Sequence, residues 1–290
     1  MRFRTRAATC TRRLKRWAYS TIADITNHSV VRQGSDSFVV GLPFDVTDKQ
    51  PVSAVLGKRW GIKRLIKYAI VSLTMLALAS ALGWTKAVPR YRPGLRAGES
   101  YGLDVSHHQG VVDRKSVASN NIAFVYLKAT EGGDHVDRNF SSNVIAVKNT
   151  NLRIGAYHFF TFCRSGLEQA ANFLKVAPPK EEWLLPTVDV EFGGNCKTLP
   201  TEDKLVSELA IFINTVKAAW NRPVVIYVLY DVVNRYPRLG HLDAPIWQRH
   251  LFTRPTNNDW TIWQMSGFAH VDGVKGPVDL NIGKLALLQQ

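Results

Sequence analysis

From residue 101 onward, short apolar runs alternate with amphipathic stretches, and this alternation restricts the fold of the chain more than any other feature. Strands that alternate with helices favour a parallel sheet or barrel. Strands are predicted at 101–105, 124–129, 153–160, 185–191, 224–229, 246–248, 261–265 and 278–280. Helices are predicted at 113–121, 138–149, 166–176 and 201–220. Because no helix is predicted after residue 220 while the strands continue, the sequence predicts an α/β barrel of eight strands whose second half lacks helices.

An uncharged run of 18 residues, 68–85, directly follows a cluster of five basic residues between positions 58 and 67. A buried helix is one interpretation, but a basic flank on one side favours a membrane-targeting segment. Residues 1–67 would then stay in the cytoplasm, and everything after residue 85 would be exported. Two forms remain open: an uncleaved transmembrane anchor, or the apolar part of a signal peptide whose translation begins near residue 55.

Positive charge is concentrated in the N-terminal segment. The chain has a net charge of +14, of which residues 1–67, with 14 Lys and Arg against 4 Asp and Glu, contribute +10. Because the remainder is close to balanced, the charge does not indicate nucleic-acid binding. We expect residues 1–67 to form a weakly ordered basic tail. Residues 86–100, which contain two prolines and two glycines, should form an extended linker to a single domain at 101–290.

Two carboxylates end the apolar run at 184–191 (LLPTVDVE). In a strand, Asp189 and Glu191 point to one face with Cα atoms roughly 6.5–7 Å apart. Two acids are costly to hold together in a low dielectric, so one of them should have a raised pKa and stay protonated, as a general acid requires. The alternative is a solvent-facing edge strand with two ordinary acids. Two glycines follow at 193–194, which is typical of a strand-to-loop transition at the active face of a barrel.

Other predicted strands also end in polar residues. Asp104 closes the first strand, Asp279 lies in the last, and His158 lies at the end of the third. Taken singly, Asp104 could cap a turn and His158 could be a satisfied core histidine. Acidic strand ends that converge in one barrel mouth nevertheless indicate a catalytic site. The adjacent His107 and His108 lack a further ligand at metal spacing, so we predict no metal and no cofactor.

Several aromatic residues near these strand ends could stack on sugar rings, although core packing is the alternative for each of them. With one neighbouring amide, the candidate substrate-binding residues are Tyr126, Tyr157, Phe159, Tyr227, Trp247, Trp263 and Gln264.

The motifs resemble, in order and spacing, those of glycoside hydrolase family 25 lysozymes over nearly all of 101–290. They are Asp104-Val105-Ser106 with Gln109-Gly110, Lys128–Gly132, Asp137–Phe140 with Asn143, Gly155–Phe159, Asp189-Val190-Glu191, Ile226-Tyr227, Ile246-Trp247, Trp263-Gln264 and Val278–Asn281. The resemblance implies a flattened, TIM-like (β/α) barrel without helices in its later part. It also implies hydrolysis, with retention, of the β-1,4 bond that follows N-acetylmuramic acid in peptidoglycan.

By position, the resemblance implies that Glu191 is the general acid/base and Asp189 its partner, with Asp104 and Asp279 as flanking acids. Two acids on one strand face approach the sugar from the same side. We therefore favour substrate assistance, in which the 2-acetamido group attacks, over a double displacement with a carboxylate nucleophile. The chain departs from the family after Trp247, where 248–250 (QRH) replace a small residue followed by an aromatic, so we expect the substrate preference at that rim to differ.

The expected partners are peptidoglycan glycan strands and, if the segment at 68–85 is uncleaved, the membrane. We expect a monomeric enzyme that works outside the cytoplasm. The alternative function is a non-catalytic, membrane-anchored module that binds peptidoglycan, which the presence of all four carboxylates disfavours.

Cys163 and Cys196 lie just beyond the third and fourth predicted strands, which are neighbours in a parallel barrel. Both residues would be exported to a compartment where disulfides persist, so we expect them to be bonded; two buried free thiols are the alternative. The bond would close a 34-residue span. A loop of that size stabilises a fold by about 3–4 kcal/mol in the chain-entropy model.

Overall fold

The computed structural model describes residues 53–148, 150–193 and 196–290. Its strands are β1 (Glu99–Val105), β2 (Ile122–Glu131), β3 (His135–Val136), β4 (Arg153–Phe159), β5 (Thr187–Val190), β6 (Val225–Val228), β7 (Ile246–Arg249), β8 (Trp260–Ala269) and β9 (Val278–Lys284). Its helices are α1 (Ser53–Leu82), α2 (Arg114–Ser119), α3 (Phe140–Val147), α4 (Gly166–Val176), α5 (Glu202–Trp220), α6 (Tyr230–Arg235) and α7 (Leu285–Leu288).

Eight of the strands close into a barrel. Around the ring the order is β1, β2, β4, β5, β6, β7, β8 and β9, and β9 pairs back with β1, while β3 forms a hairpin with β2. The prediction of an eight-stranded barrel is confirmed. Its second half was predicted to lack helices, but the short helix α6 lies between β6 and β7. β9 runs antiparallel to both of its neighbours, which the sequence did not predict. Only residues 270–277 connect β8 to β9, and a parallel crossover needs a dozen or more.

Local sequence explains where α5 begins and ends. The side chain of Thr201 accepts a hydrogen bond from the backbone N–H of Lys204, which caps the first turn. Asn221 ends the helix in a left-handed conformation with φ of 51°. One stripe of apolar side chains packs against the outside of the barrel: Leu205, Leu209, Phe212, Val216 and Trp220.

A second apolar cluster fills the lower part of the barrel interior. It contains Phe124, Tyr126, Leu184, Leu185, Val225, Tyr227, Trp247, Ile262 and Leu288. Glycines make room for the largest rings: a Cβ on Gly102 would lie 2.2 Å from Phe124, and one on Gly155 would lie 2.2 Å from Tyr126. This packed layer is the floor on which the cavity described below rests.

The segment before the barrel differs from expectation in one respect. Residues 86–100 were expected to form an extended linker, but Val88–Arg90 form a 3₁₀ turn that packs on the barrel, and β1 already begins at Glu99. His270 donates its backbone N–H to the Pro89 carbonyl at 2.8 Å, and Arg92 Nη2 donates to the His270 carbonyl at 3.0 Å. Both hydrogen bonds use backbone carbonyls as acceptors, so composition gave no sign of this contact.

One helical stretch of the described residues, Gly61–Arg90, has the length and composition to cross a membrane, and none of its most apolar window is buried. The same properties suit a signal sequence. The tail predicted at 1–67 lies largely outside the described residues.

Candidate active site

A cavity of about 300 Å³ opens at the carboxyl ends of the parallel strands. Nine of the eleven predicted catalytic and substrate-binding residues line it: Asp104, Tyr157, Phe159, Asp189, Glu191, Tyr227, Trp247, Gln264 and Asp279. The strands bring them together because each barrel strand presents alternate side chains to the interior. The site is therefore a concave cleft lined by both acids and aromatic rings.

The four acids belong to two pairs. Asp104 on β1 and Asp279 on β9 are direct partners in the antiparallel register. Asp189 and Glu191 lie two residues apart at the end of β5, and both reach the cavity. All four carboxyls therefore border one small volume, with one pair contributed by the strand junction and the other by a single strand.

Burial raises the pKa of all four carboxyls. For Asp104 the main cause is loss of water, followed by the charge of Asp279, and the pKa rises well above its usual range. For Asp189 the causes are loss of water and then the charge of Glu191. Burial also raises the pKa values of Glu191 and Asp279, partly opposed by the positive charge of Arg249. We predicted a raised pKa for one member of the β5 pair, and both members have one.

A chain of hydrogen bonds fixes Asp104 and the indole of Trp247. Trp247 Nε1 donates to Asn281 Oδ1 at 3.0 Å, and Asn281 Nδ2 donates to Asp104 Oδ1 at 2.7 Å. On the neighbouring wall, the Tyr227 hydroxyl donates to Gln264 Oε1 at 2.9 Å. These hydrogen bonds restrain Asp104, Tyr227 and Trp247 where they line the cavity.

Asp189 differs from the other acids in its hydrogen bonding. Its Oδ1 atom is buried and has no hydrogen-bond partner among the described residues, and the same holds for Thr187 Oγ1 two residues earlier. An unsatisfied buried acceptor costs free energy, so a donor from a ligand would bind there favourably.

Two predicted sugar-binding residues do not line the cavity. Tyr126 is fully buried one layer below it, where its hydroxyl donates to the Leu185 carbonyl at 3.1 Å. Trp263 is buried on the outer face of β8, and its Nε1 donates to the His250 carbonyl at 2.6 Å. Strand geometry explains the second case: Gln264 faces the cavity, so its neighbour Trp263 must face away. Both residues therefore belong to the core.

Lys128 and Arg249 also line the cavity, although neither was predicted as a site residue. The sequence analysis named Lys128 only as part of the motif Lys128–Gly132, and residues 248–250 only as a departure from the family. Lys128 Nζ lies 2.7 Å from Glu131 Oε2 and 4.6 Å above the Phe159 ring. The signal for both was available, because each follows an inward-facing aromatic by two residues: Tyr126 precedes Lys128 and Trp247 precedes Arg249. The other lining residues that were not predicted are Ser106, His108, Gln109 and Thr187.

His158 has the structural role that was the alternative to a catalytic one. Its ring stacks on Phe212 with centroids 4.8 Å apart, and its nitrogens lie 2.7 Å from Thr130 Oγ1 and 3.2 Å from Gln169 Oε1. Burial lowers the pKa of His158 to about 3, so the ring is neutral.

The two cysteines beside the cleft are bonded as predicted. Cys163 and Cys196 form a disulfide with Cα atoms 5.5 Å apart. The bond joins the segment that follows β4 to the segment that follows β5, and β5 leads directly into Glu191. It therefore anchors the wall that carries the paired carboxylates.

The chain matches the model named Glycosyl hydrolases family 25 over residues 103–274. Lysozyme M1 from Streptomyces globisporus is 34% identical over 199 residues, which cover 62% of this chain and 66% of that protein. A family 25 glycosyl hydrolase from Bacillus anthracis superposes with a TM-score of 0.60 at 31% identity, covering 67% of this chain and 93% of that one. The bacterial lysozyme from Streptomyces coelicolor superposes with a TM-score of 0.58 at 31% identity, covering 66% and 97%.

Proposed function

Because the chain belongs to glycosyl hydrolase family 25, we propose that it cleaves the β-1,4 bond between N-acetylmuramic acid and N-acetylglucosamine with retention of configuration and by substrate assistance. The chain is a glycoside hydrolase of the lysozyme type, and its substrate is peptidoglycan. The observation that carries the detailed proposal is the convergence of four carboxyls with raised pKa values in one cavity.

Glu191 acts as the general acid and base. It lies farther along the chain at the end of β5 than Asp189, and its longer side chain reaches the glycosidic oxygen. Its raised pKa keeps a proton on the carboxyl at a pH where an ordinary glutamate has lost it. After the bond breaks, the same carboxylate removes a proton from the attacking water.

Asp189 orients the 2-acetamido group and stabilises the positive charge that develops on it. Its buried Oδ1 lacks a hydrogen-bond donor among the described residues, and an acetamido N–H supplies one. Because Asp189 and Glu191 are on the same strand, they approach the sugar from one side, whereas a nucleophile must attack opposite the leaving group. This geometry favours the acetamido oxygen as the nucleophile.

The remaining acids and rings position the sugar. Asp104 and Asp279, direct partners on β1 and β9, flank the sugar, while Tyr157, Tyr227 and Trp247 supply apolar surface for a sugar ring. The cleft belongs to a TIM-like (β/α) barrel. It departs from a regular TIM barrel in its antiparallel strand β9 and in the helices missing from its later part.

We propose the following organisation for the rest of the chain. Residues 1–67 are cytoplasmic in the anchored form, 68–85 are a transmembrane anchor or the apolar part of a signal peptide, and 101–290 form the catalytic barrel. The barrel acts as a monomer outside the cytoplasm. The length of the helical stretch Gly61–Arg90 suits either form of the targeting segment.

The bond specificity is tested by digesting peptidoglycan sacculi with the full chain in detergent, followed by borohydride reduction and mass spectrometry. Reduced muramic acid at the new ends supports the proposal, and reduced glucosamine refutes it. Proton NMR of the first anomer formed tests retention, because an inverting enzyme releases the opposite anomer. Glu191→Gln is the matched control: a non-catalytic binding module would give the same background as this variant.

A further inference from the structure

Arg249 places a guanidinium group in the catalytic cleft. It is the last residue of β7, and strand alternation puts it on the same inner face as Trp247. Its side chain is exposed, so a molecule that occupies the cleft has access to it. Residue 267, which adjoins it, is a glycine: a Cβ there would lie 3.6 Å from Arg249 Nη2 and 3.2 Å from Asp279 Oδ1. Position 267 therefore places no side chain beside the guanidinium.

The charge of Arg249 is not neutralised by an ion pair. Two lining residues carry permanent positive charge, Lys128 and Arg249, and Lys128 is already paired with Glu131 at 2.7 Å. Among the residues that the structure describes, no carboxylate oxygen lies within 4.0 Å of the Arg249 guanidinium. Its donors are therefore available to a ligand, and a guanidinium pairs with a carboxylate through two parallel hydrogen bonds.

The rest of the cleft would repel an anionic ligand. Four carboxyls line it. Even if the buried carboxyls keep their protons, the described residues of the cleft offer no uncompensated positive charge besides that of Arg249. Without Arg249, such a site would bind a neutral glycan at least as well as an anionic one. A free arginine at the rim shifts this preference toward an anionic ligand.

We propose that Arg249 is a specificity-determining residue that binds a carboxylate carried by the muramoyl unit of the substrate. The inference rests on the proposed function. Of the two sugars in the peptidoglycan glycan strand, only the muramoyl sugar has a carboxyl group, on its lactyl ether. That carboxylate is free where the stem peptide has been removed; where the peptide is present, the peptide supplies carboxylates of its own. Both sources offer the same chemistry to the guanidinium.

Three tetrasaccharides of alternating N-acetylglucosamine and N-acetylmuramic acid test this assignment. One is peptide-free with lactyl carboxylates, one is its carboxamide, and one carries the stem peptides. We expect Arg249→Ala to lower kcat/KM on a carboxylate-bearing form about 10- to 100-fold, the range for a hydrogen bond to a charged group. On the carboxamide, the loss should be less than about twofold. Arg249→Lys should retain an intermediate preference, since it keeps the charge but not the paired geometry.

Arg153→Ala is the matched control. Arg153 is an exposed arginine on a barrel strand, but it lies at the beginning of β4, at the opposite end from the cleft. It should leave kcat/KM unchanged on all three compounds. A loss confined to the peptide-free form assigns the lactyl carboxylate as the ligand, and a loss confined to the peptide-bearing form assigns the stem peptide.

Equal losses on the carboxylate and carboxamide forms would overturn the proposal. They would show that Arg249 acts through the neighbouring acids, and the alkaline limb of kcat would then move to higher pH, because Arg249 lowers the pKa of Glu191. Failure of the proposed function looks different: the wild type would cleave none of the compounds. In that case, affinities measured by calorimetry decide the proposal. The proposal fails if Arg249→Ala binds the carboxylate form as tightly as the wild type does and also binds the carboxamide form as tightly as the wild type does.

Discussion

Substitution of Gly155 by alanine should destabilise the barrel strongly, because the floor of the cleft has no space for one more carbon. A Cβ at this position would lie 2.2, 2.5 and 2.7 Å from three atoms of the Tyr126 ring. The ring is fully buried between neighbours, with the Trp247 ring centroid 5.1 Å away, and its hydroxyl is bonded to the Leu185 carbonyl. The ring must therefore move, and it cannot do so freely.

Two costs contribute to the expected effect. Overpacking of a filled core costs about 1–3 kcal/mol. If the moving ring breaks its hydrogen bond to Leu185, the buried acceptor that remains costs about 1–3 kcal/mol more. The sum is a loss of about 2–6 kcal/mol in the free energy of unfolding. For a domain of this size, at about 2–4 °C per kcal/mol, that corresponds to a decrease in Tm of roughly 4–24 °C.

Thermal unfolding followed by circular dichroism measures this loss. Gly94→Ala is the control, since a Cβ at Gly94 would meet no atom within 4 Å. In a Tyr126→Leu background, Gly155→Ala should cost less than it does in the wild type, because the smaller side chain leaves room for the added carbon. The reasoning is refuted if Gly155→Ala melts within 2 °C of Gly94→Ala, allowing about 0.5 kcal/mol for an ordinary surface change.

Four further predictions concern the catalytic cleft and the segments around it. Glu191→Gln should abolish measurable lysis at every pH while calorimetry still detects glycan binding; residual activity above about one part in 10² would contradict its role as general acid. Asp189→Asn should lower kcat severely without trapping a glycosyl-enzyme, and a thiazoline analogue of the sugar should inhibit the wild type; mass spectrometry that finds a glycosyl ester on Asp189 would instead support double displacement. Replacing Cys163 and Cys196 with alanine together should lower the free energy of unfolding by about 3–4 kcal/mol in urea titrations, and a change below 1 kcal/mol would exclude a stabilising crosslink. A fragment that begins at Lys86 should retain the specific activity of the full chain, and loss of activity in a folded fragment would show that the N-terminal residues take part in catalysis.

Much of the cleft could be predicted because its residues lie at strand ends. Asp104 and Asp189 each lie near the end of an apolar run, and parallel strands bring their carboxyl ends to one edge. Asp279 reaches the same edge from the beginning of β9, because that strand runs antiparallel to its neighbours. The cysteines were predictable for the same reason, since they follow neighbouring strands. Such inferences need only strand order and direction, which the alternation of apolar runs supplies.

The depth and the face of a side chain were harder to predict. Tyr126 faces the barrel interior as expected, but its ring packs one layer below the cleft, in space left by Gly155. Trp263 and Gln264 cannot both face inward, and period-two alternation alone does not say which of them does. The contact between Arg92 and the His270 carbonyl joins residues 178 positions apart, and no local pattern indicates it.

The burial that makes the cleft reactive also opposes folding. A carboxyl whose pKa is raised in the folded state lowers the free energy of unfolding as the pH rises. The reason is that the same carboxyl ionises at a lower pH in the unfolded chain, so ionisation favours unfolding. Asp104 and Asp189 are in this situation, and stability therefore falls as the pH rises from the ordinary carboxyl range through their raised values. The hydrogen bond from Asn281 to Asp104 offsets part of this cost. No such bond from a described residue reaches Asp189 Oδ1, so the cost there remains until a ligand supplies a donor. Substrate binding should thus stabilise the barrel at the same atom that orients the acetamido group.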